Sequence, residues 1–191
     1  YFKSLPNMTK IFGSKVSLIF FPLTGRISTK GKEINIPRKY WDTLPWISEI
    51  YTYGAELRWS GSDLYSEYNN VIFCSSAQDE SHRTVFLEAN FVDEYDIKDM
   101  TFKDKNILDV GSNIGDTAIF FANKGAKKVY SFEPLPSVYE YLNKTIRANK
   151  FDEVIETHCV GLSDKEEKMN IWMRKTATAG SSAIAQGLSY A

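Results

Sequence analysis

The sequence predicts an α/β protein with a doubly wound parallel sheet in residues 101–191, preceded by a small, mostly antiparallel mixed domain in residues 1–100. Two observations support this division. Up to about residue 100, short apolar runs are separated by turn-forming residues, which is typical of small antiparallel sheets. From Thr101 onward, longer strand and helix patterns alternate, which is typical of a parallel sheet with crossover helices.

The predicted elements of the first part are short. The stretch "SKVSLIFF" (14–21) predicts a strand, and "GRISTKGKEINI" (25–36) predicts a hairpin that turns near Lys30-Gly31. A short helix is expected after Pro37, ending near Gly54. The runs "NVIFCSS" (70–76) and "RTVFLEA" (83–89) predict two strands joined by the polar tip "AQDESH" (77–82), in which His82 would be solvated.

The second part alternates strands and helices. Strands are predicted at "NILDV" (106–110), "KKVYSFE" (127–133) and "VIETHCV" (154–160). A helix at "GDTAIFFANKG" is closed by Gly125, and a second helix begins at Pro136. The buried face of that second helix is expected to hold Val138, Leu142, Thr145 and Ile146. The tail "KTATAGSSAIAQGLSYA" (175–191) is rich in small residues and predicts a loop, or a segment ordered by a ligand or a neighbour.

The loop from Gly111 to Gly115 follows the first parallel strand, where ligands bind in sheets of this kind. Its glycines allow a tight turn and a helix that starts close to the ligand. A dinucleotide fingerprint starting at Gly111 would also require glycine where the chain has Asn113 and Asp116. A P-loop, GxxxxGK[ST], does not occur.

The acidic residues of this region indicate which nucleotide binds. Asp116, in the first turn of the helix, would repel a pyrophosphate. Together with Asp109 it favours a cationic, phosphate-free nucleoside, S-adenosylmethionine, which carries an ammonium and a sulfonium group. Glu133, at the end of the next strand, is placed to accept both ribose hydroxyls. A plainer interpretation is that these residues serve only the turn.

These segments resemble the FkbM-type S-adenosylmethionine-dependent methyltransferases. The resemblance covers roughly residues 102–187 and rests on "DVGSNIGDT", "FEP", "VIETHCVGLSDKEEKMNIWM" and "GSSAI". The lead-in "TVFLEANFVDEYDIKDMTFKDK" is similar to that of archaeal-type members. The resemblance implies a Rossmann-like class I methyltransferase fold and S-adenosyl-L-methionine as cofactor.

The resemblance also implies a cofactor site. Its methionine and ribose side would be lined by Asp109, Gly111, Ser112, Asn113, Gly115, Asp116 and Thr117. Glu133 would hold the ribose hydroxyls, with Pro134 and Leu135 against the adenine and with Val160, Gly161 and Leu162 at its edge. Ser181 and Ser182 match a serine pair of the family to which no role is assigned. Catalytic residues are not assigned either.

One departure from the family pattern concerns the C-terminal end. Members of the family continue with a further strand bearing a "DVEG"-like motif, which is absent here. Only 30 residues follow Gly161, too few to complete a sheet of about six strands. We therefore expect the C-terminal strands, together with residues that position the acceptor, to be missing from this chain.

Other residues invite functional interpretations. His158 could be a general base, although a histidine within a strand is more often packed. Eight tyrosines and tryptophans between Tyr40 and Tyr68 could form a stacking surface for an acceptor, although core packing is the favoured interpretation. The segment "RWSGSDLY" (58–65) is a candidate lid over the transfer site.

Composition excludes several classes of partner. The net charge of −1 gives no basic field for nucleic acid, and the longest N-terminal apolar run is too short to span a membrane. The two cysteines and two histidines show no metal-ligand spacing, so no metal is expected. Few cysteines favour a reduced, cytoplasmic location.

The sequence therefore predicts an S-adenosylmethionine-dependent methyltransferase acting on a hydroxyl of a small molecule or saccharide. A homo-oligomer of this chain is also considered. A non-catalytic or degenerate methyltransferase-fold binding module is the alternative. A nucleotide-linked oxidoreductase built on the same sheet is the third hypothesis, which the missing glycines and Asp116 disfavour.

Overall fold

The computed structural model describes residues 26–29, 32–36, 38–91, 99–166, 168 and 171. The strand predicted at residues 14–21, the tail at 175–191 and the pair Ser181-Ser182 lie outside the described residues. Within the described part, antiparallel strands, a 3-10 helix and two α-helices come first, and a parallel sheet with two helices follows. This order confirms the predicted α/β class.

The first elements form a hairpin and a helix. Strand β1 (Arg26–Thr29) pairs antiparallel with β2 (Lys32–Asn35), and Thr29 lies opposite Lys32, as the predicted hairpin requires. A 3-10 helix (Arg38–Thr43) continues into α1 (Leu44–Thr52). The amide of Gly54 donates to the carbonyl of Tyr51 at 3.0 Å just beyond the helix, which confirms the predicted end.

A three-stranded antiparallel sheet follows. Its strands β3 (Glu56–Ser60), β4 (Asp63–Tyr68) and β5 (Val71–Ser76) lie in the order β3-β4-β5. The segment 58–65, considered above as a lid, is the β3–β4 hairpin, in which Trp59 lies opposite Leu64. Strand β5 confirms the prediction for residues 70–76.

The strand predicted at residues 83–89 is wrong, because these residues belong to helix α2 (Ser81–Phe91). The side chain of Asp79 caps the start of this helix. Its Oδ1 accepts from the amide of Ser81 at 3.0 Å and from the hydroxyl of Ser81 at 2.6 Å. Such a side-chain cap satisfies amides that otherwise lack partners at a helix start. The buried residues Ser81, His82, Val85 and Phe86 then share one helical face.

His82 is buried rather than solvated, which corrects the prediction for this residue. Its Nδ1 lies 2.7 Å from the hydroxyl of Ser75 on β5, and its Nε2 lies 2.7 Å from the hydroxyl of Ser66 on β4. Burial lowers the pKa of His82 to about 4, so the ring is neutral at pH 7. The imidazole thus cross-links two strands to α2.

Six of the eight tyrosines and tryptophans between Tyr40 and Tyr68 belong to the core of this part or pack against it, as the packing interpretation predicts, whereas Tyr53 is exposed. Tyr40 and Trp46 are buried with Ile47 and Ile50. The side chains of Trp41, Tyr51, Trp59 and Tyr68 pack against the same cluster. Large rings let a small layer of helix and sheet exclude enough water to be stable.

The second part is a parallel sheet in the order β6-β7-β8, built from β6 (Asn106–Val110), β7 (Lys128–Phe132) and β8 (Ile155–His158). Helix α3 (Asp116–Asn123) follows β6, and α4 (Pro136–Ala148) follows β7. The four residues predicted to form the inner face of α4 are buried. No described helix is long and apolar enough to cross a membrane.

The two parts are joined where β5 packs against α4. Asn149, which follows α4, donates to the carbonyl of Ile72 at 2.6 Å and accepts from its amide at 2.9 Å. The hydroxyl of Thr145 accepts from the amide of Cys74 at 3.0 Å. Asn149 therefore takes the place of a neighbouring strand at this point of β5. The domain boundary near residue 100 stays a prediction, and these contacts cross it.

We expect Asn149→Ala to lower the free energy of unfolding by about 1–3 kcal/mol, because it leaves both backbone groups of Ile72 without this partner. Urea unfolding measures the loss. Asn106→Ala is the matched control, since Asn106 is exposed, and it should change stability by about 0.5 kcal/mol or less. Equal effects of the two substitutions would contradict the bridging role of Asn149.

We also expect His82 to make the protein sensitive to acid. Its folded pKa of about 4 lies below the ordinary value of 6.5, so its contribution is complete above pH 6.5 and is lost as pH falls towards 4. The slope for this proton is about 1.4 kcal/mol per pH unit. His82→Gln should be less stable at pH 7 yet show a shallower loss in urea unfolding between pH 6.5 and 4.5. An unchanged slope would refute this origin.

Candidate functional site

The turn between β6 and α3 is anchored to the end of β7. The amides of Gly111 and Ser112 both donate to the carbonyl of Phe132, at 2.9 and 3.1 Å. The hydroxyl of Ser112 donates back to the carbonyl of Asp109 at 2.9 Å, and the amide of Gly115 donates to the carbonyl of Ser112 at 2.7 Å. The turn therefore has a fixed shape at the carboxyl edge of the sheet, where the sequence predicts the ligand.

The two glycines of the turn have different physical roles. Both have positive φ, +83° at Gly111 and +101° at Gly115. A Cβ at Gly111 would meet nothing within 4 Å, whereas a Cβ at Gly115 would lie 2.9 Å from Cδ1 of Leu142. Gly111 thus borders open space, and Gly115 allows α4 to pack against the start of α3. This packing role adds to the expectation that Gly115 allows close approach to a ligand, which stays a prediction.

Asp109 lies beneath the turn, buried at the end of β6. Its Oδ1 accepts from the hydroxyl of Thr117 at 2.8 Å, and its Oδ2 lies 3.5 Å from the hydroxyl of Ser131. Burial raises the pKa of Asp109, while these hydroxyls oppose the rise. The carboxyl group of Asp109 is therefore held in position by the neutral hydroxyls of Thr117 and Ser131.

Glu133 is held more tightly. One carboxylate oxygen accepts from the amide of Asn113 at 3.0 Å, and the other accepts from the amide of Leu135 at 2.9 Å. Burial raises the pKa of Glu133, and the two backbone amides counteract the rise. Asn113 adopts a left-handed conformation, with φ of 46°, to present its amide to Glu133. The structure therefore brings Glu133 together with the turn.

The loop after β8 reaches the same edge. The amide of Glu133 donates to the carbonyl of His158 at 3.0 Å, and a Cβ at Gly161 would lie 3.5 Å from Cβ of Pro134. Val160 and Leu162 are exposed on either side of Gly161. Of the residues predicted for the adenine side, Gly161 therefore lies beside Pro134, with an exposed apolar residue before and after it in the chain. His158 stacks on Phe132, with ring centroids 4.8 Å apart, as a packed residue does.

Two residues that contribute to the site around the turn were not predicted from the sequence. Ser131, a small polar residue inside a buried strand, lies opposite Asp109 in the parallel register. That polarity within "KVYSF" was the available signal. Phe73 comes from the first part of the chain and packs with Ile114, which follows the donor Asn113, and with Leu135, the second donor to Glu133. No local pattern in the sequence connects Phe73 with this turn.

Asp116 has different surroundings from the rest of the predicted set. It lines a cavity of about 320 Å³ between α2, α3 and β5, together with Phe73 and Asn90. Burial raises the pKa of Asp116 to about 7, and the nearby carboxylates of Asp109 and Glu88 add to the rise. Its carboxyl group is therefore only partly ionised near neutral pH.

The charged groups around the turn suit a cationic nucleoside. The segment from Asp109 to Thr117 contains no Lys, Arg or His, and two buried carboxylates, Asp109 and Glu133, flank it. A pyrophosphate would meet these negative charges, whereas a cation is stabilised by them. Gly111 leaves the space above the turn open. Among the described residues, no group of three His, Cys, Asp or Glu is placed to hold a metal ion.

The comparisons with known proteins give partial matches to methyltransferases. Residues 109–187 match the family model described as "Methyltransferase FkbM domain". This range contains every residue predicted above to bind the cofactor.

Among curated proteins, the chain is similar to two arginine methyltransferases. It is 50% identical over 54 residues to protein arginine N-methyltransferase 8-B of Danio rerio, covering 28% of this chain and 13% of the relative. It is 40% identical over 52 residues to protein arginine N-methyltransferase 1 of Chlamydomonas reinhardtii, covering 27% and 15%. The matched part is thus less than a sixth of either relative.

Among solved structures, partial likenesses are also to methyltransferases. The match to M. jannaschii TYW2 in complex with AdoMet has a TM-score of 0.44 at 20% identity, and it covers 63% of this chain and 56% of the TYW2 chain. The match to Arabidopsis thaliana protein arginine methyltransferase 10 has a TM-score of 0.33 at 26% identity, and it covers 48% of this chain and 24% of that protein's chain.

We expect Gly115→Ala to cost about 2–4 kcal/mol of unfolding free energy, because the methyl group meets Leu142 in a backbone conformation that alanine rarely adopts. Thermal unfolding measures the loss. Gly61→Ala is the matched control: its φ is +63° but nothing lies within 4 Å, so backbone strain of about 1 kcal/mol remains. Similar losses in the two variants would contradict the packing role of Gly115.

Proposed function

We propose that this chain binds S-adenosylmethionine at the turn between β6 and α3, and that the protein transfers the methyl group to a hydroxyl of a small molecule or saccharide. The single observation that carries the proposal is the pair of buried, hydrogen-bonded carboxylates around a turn without basic side chains. The proposed cofactor residues are Asp109, Gly111, Ser112, Asn113, Gly115, Thr117, Glu133, Pro134, Leu135, Val160, Gly161 and Leu162.

Glu133 is the proposed ribose-binding residue. A carboxylate has about four lone-pair sites, and two of them are occupied by the amides of Asn113 and Leu135. The remaining sites are available to two vicinal hydroxyls. Because both oxygens are already fixed by the backbone, binding does not require the side chain to lose further rotamer freedom, which favours affinity.

Asp109 is proposed to act through its field rather than through a direct contact. Its oxygens are close to the hydroxyls of Thr117 and Ser131, so the charge is localised under the turn. A buried carboxylate acts across a lower effective dielectric than bulk water and attracts a cation above the turn more strongly. This supports the choice of a sulfonium cofactor over a dinucleotide.

The apolar side of the site supports an adenine. Leu135 is buried, while Val160 and Leu162 are exposed on either side of Gly161, which lies beside Pro134. A flat aromatic base gains from contact with such apolar groups, and exposed apolar side chains beside a polar turn are typical of ligand sites.

The bound cofactor supplies a methyl group that its positive sulfur makes electrophilic. The residues of this chain bind and orient that cofactor, and fixing two reactants in position can contribute several kcal/mol to a transfer reaction. A hydroxyl acceptor additionally needs a base. The described residues provide the cofactor half of the reaction in this proposal, and the hydroxyl acceptor rests on the family resemblance alone.

Calorimetric titration with S-adenosylhomocysteine tests the proposal, with NAD as the comparison. We expect micromolar binding of S-adenosylhomocysteine and none of NAD. Glu133→Gln should weaken binding tenfold or more, because an amide can accept from only one of the two backbone donors and places its NH2 against the other. Glu140→Gln, on the exposed face of α4, is the matched control and should leave affinity unchanged. Binding of NAD alone would refute the electrostatic argument.

A further inference from the structure

A cleft runs along one face of α3, between that helix, α2 and β5. Its volume is about 320 Å³. The residues that α3 contributes recur every three or four positions, so they lie on a single helical face. The described lining residues are Val71, Phe73, Ala89, Asn90, Asp116, Ile119, Phe120, Asn123 and Lys124.

One end of the cleft is acidic. Asp116 lies there, with Glu88 of α2 and Asp109 of β6 close enough to disfavour its ionisation. A carboxylate in the first turn of a helix is normally stabilised by the helix dipole. At Asp116 burial outweighs that effect, and the pKa rises to about 7. A cation bound at this end would neutralise the excess negative charge.

The middle of the cleft is apolar and aromatic. This part is lined by Val71 and Phe73 of β5 and by Ile119 and Phe120 of α3. Aromatic ring faces attract organic cations, and apolar walls favour a ligand with a hydrocarbon body. Lys124 is at the far end, about 12 Å along the helix from Asp116 at 1.5 Å per residue. Its ammonium lies 5.6 Å from the centroid of the Phe120 ring.

The cleft is separate from the proposed cofactor turn. Among its described lining residues, Asp116 is the one that belongs to the motif 109–117. The amides that donate to Glu133 belong to Asn113 and Leu135. Gly115, which lies between Asn113 and Asp116 in the chain, is packed against Leu142 and Thr145 of α4. The volume is at the lower end of the range for small-ligand pockets, which suits a ligand with a single ring.

We propose that this cleft is a second binding site, distinct from the cofactor turn, for a small organic ammonium ion with an aromatic or branched apolar body. Its ammonium donates to the carboxylate of Asp116, and its hydrocarbon part lies between Phe73 and Phe120. Asp116 then belongs to this second site rather than to the rim of the cofactor site. The inference stands independently of the proposed methyltransferase activity.

The test is a titration of the whole chain with benzylammonium chloride, followed by protein NMR, with benzyl alcohol as the neutral comparison. We expect benzylammonium to bind and benzyl alcohol to bind at least several-fold more weakly. If only ionised Asp116 binds the cation, its pKa of about 7 predicts roughly tenfold tighter binding at pH 8 than at pH 6. No binding, or equal binding of the two probes, overturns the proposal.

Three variants locate the site. Asp116→Asn should abolish both the binding and its pH dependence, because it removes the ionisable group with little change in side-chain size. Asp152→Asn, at an exposed position, is the matched control and should change neither. Ala89→Trp, at an exposed position on the cleft wall, should block the cleft while leaving α2 folded. Retained binding in both Asp116→Asn and Ala89→Trp overturns the proposal.

A competition experiment separates this inference from the proposed function. With saturating S-adenosylhomocysteine present, benzylammonium should still bind. If S-adenosylhomocysteine displaces it, the cofactor itself occupies the cleft and the second site is refuted. If S-adenosylhomocysteine does not bind the chain while benzylammonium does, the proposed function fails and the second site stands.

Discussion

The carboxylate of Glu133 is the interaction on which the rest of the site depends. Burying a carboxylate is unfavourable unless donors replace the water it loses. Here the donors are the amides of Asn113 and Leu135, which come from the loops preceding two different helices. One side chain thus fixes the start of α3 relative to the start of α4. The left-handed backbone at Asn113 is held by the same bond.

The antiparallel sheet supports this arrangement from outside the parallel unit. Phe73 packs in one cluster with Ile114, Leu135 and Val138, so a strand of the first part covers one donor to Glu133, Leu135, and the neighbour of the other. Asn149 holds the neighbouring residue of the same strand, Ile72, by two hydrogen bonds. The first part of the chain is therefore part of the structure that shapes the turn. It also forms one wall of the cleft beside Asp116.

Prediction from the sequence succeeded where local chemistry and tertiary structure agree. Helix α4 begins at its proline and buries the face that its periodicity indicates. It failed at residues 83–89, where Thr84, Val85 and Phe86 suggested a strand but the cap at Asp79 begins a helix. His82 was misplaced for the same reason, since a hairpin tip would expose it whereas the helix turns it towards Ser66 and Ser75. A three-residue preference for strand is weaker than a side-chain cap followed by a buried helical face.

By itself, the sequence determined the alternation of strand and helix after residue 100 and the position of the acidic, glycine-containing turn, because both are written in short-range spacing. Only the tertiary structure decided which neighbour each of these residues meets. It separates Gly111, which borders open space, from Gly115, which touches Leu142, and it separates buried Asp109 from Asp116 in its cleft. These distinctions arise from contacts between residues far apart in the chain, and local spacing carries no information about such contacts.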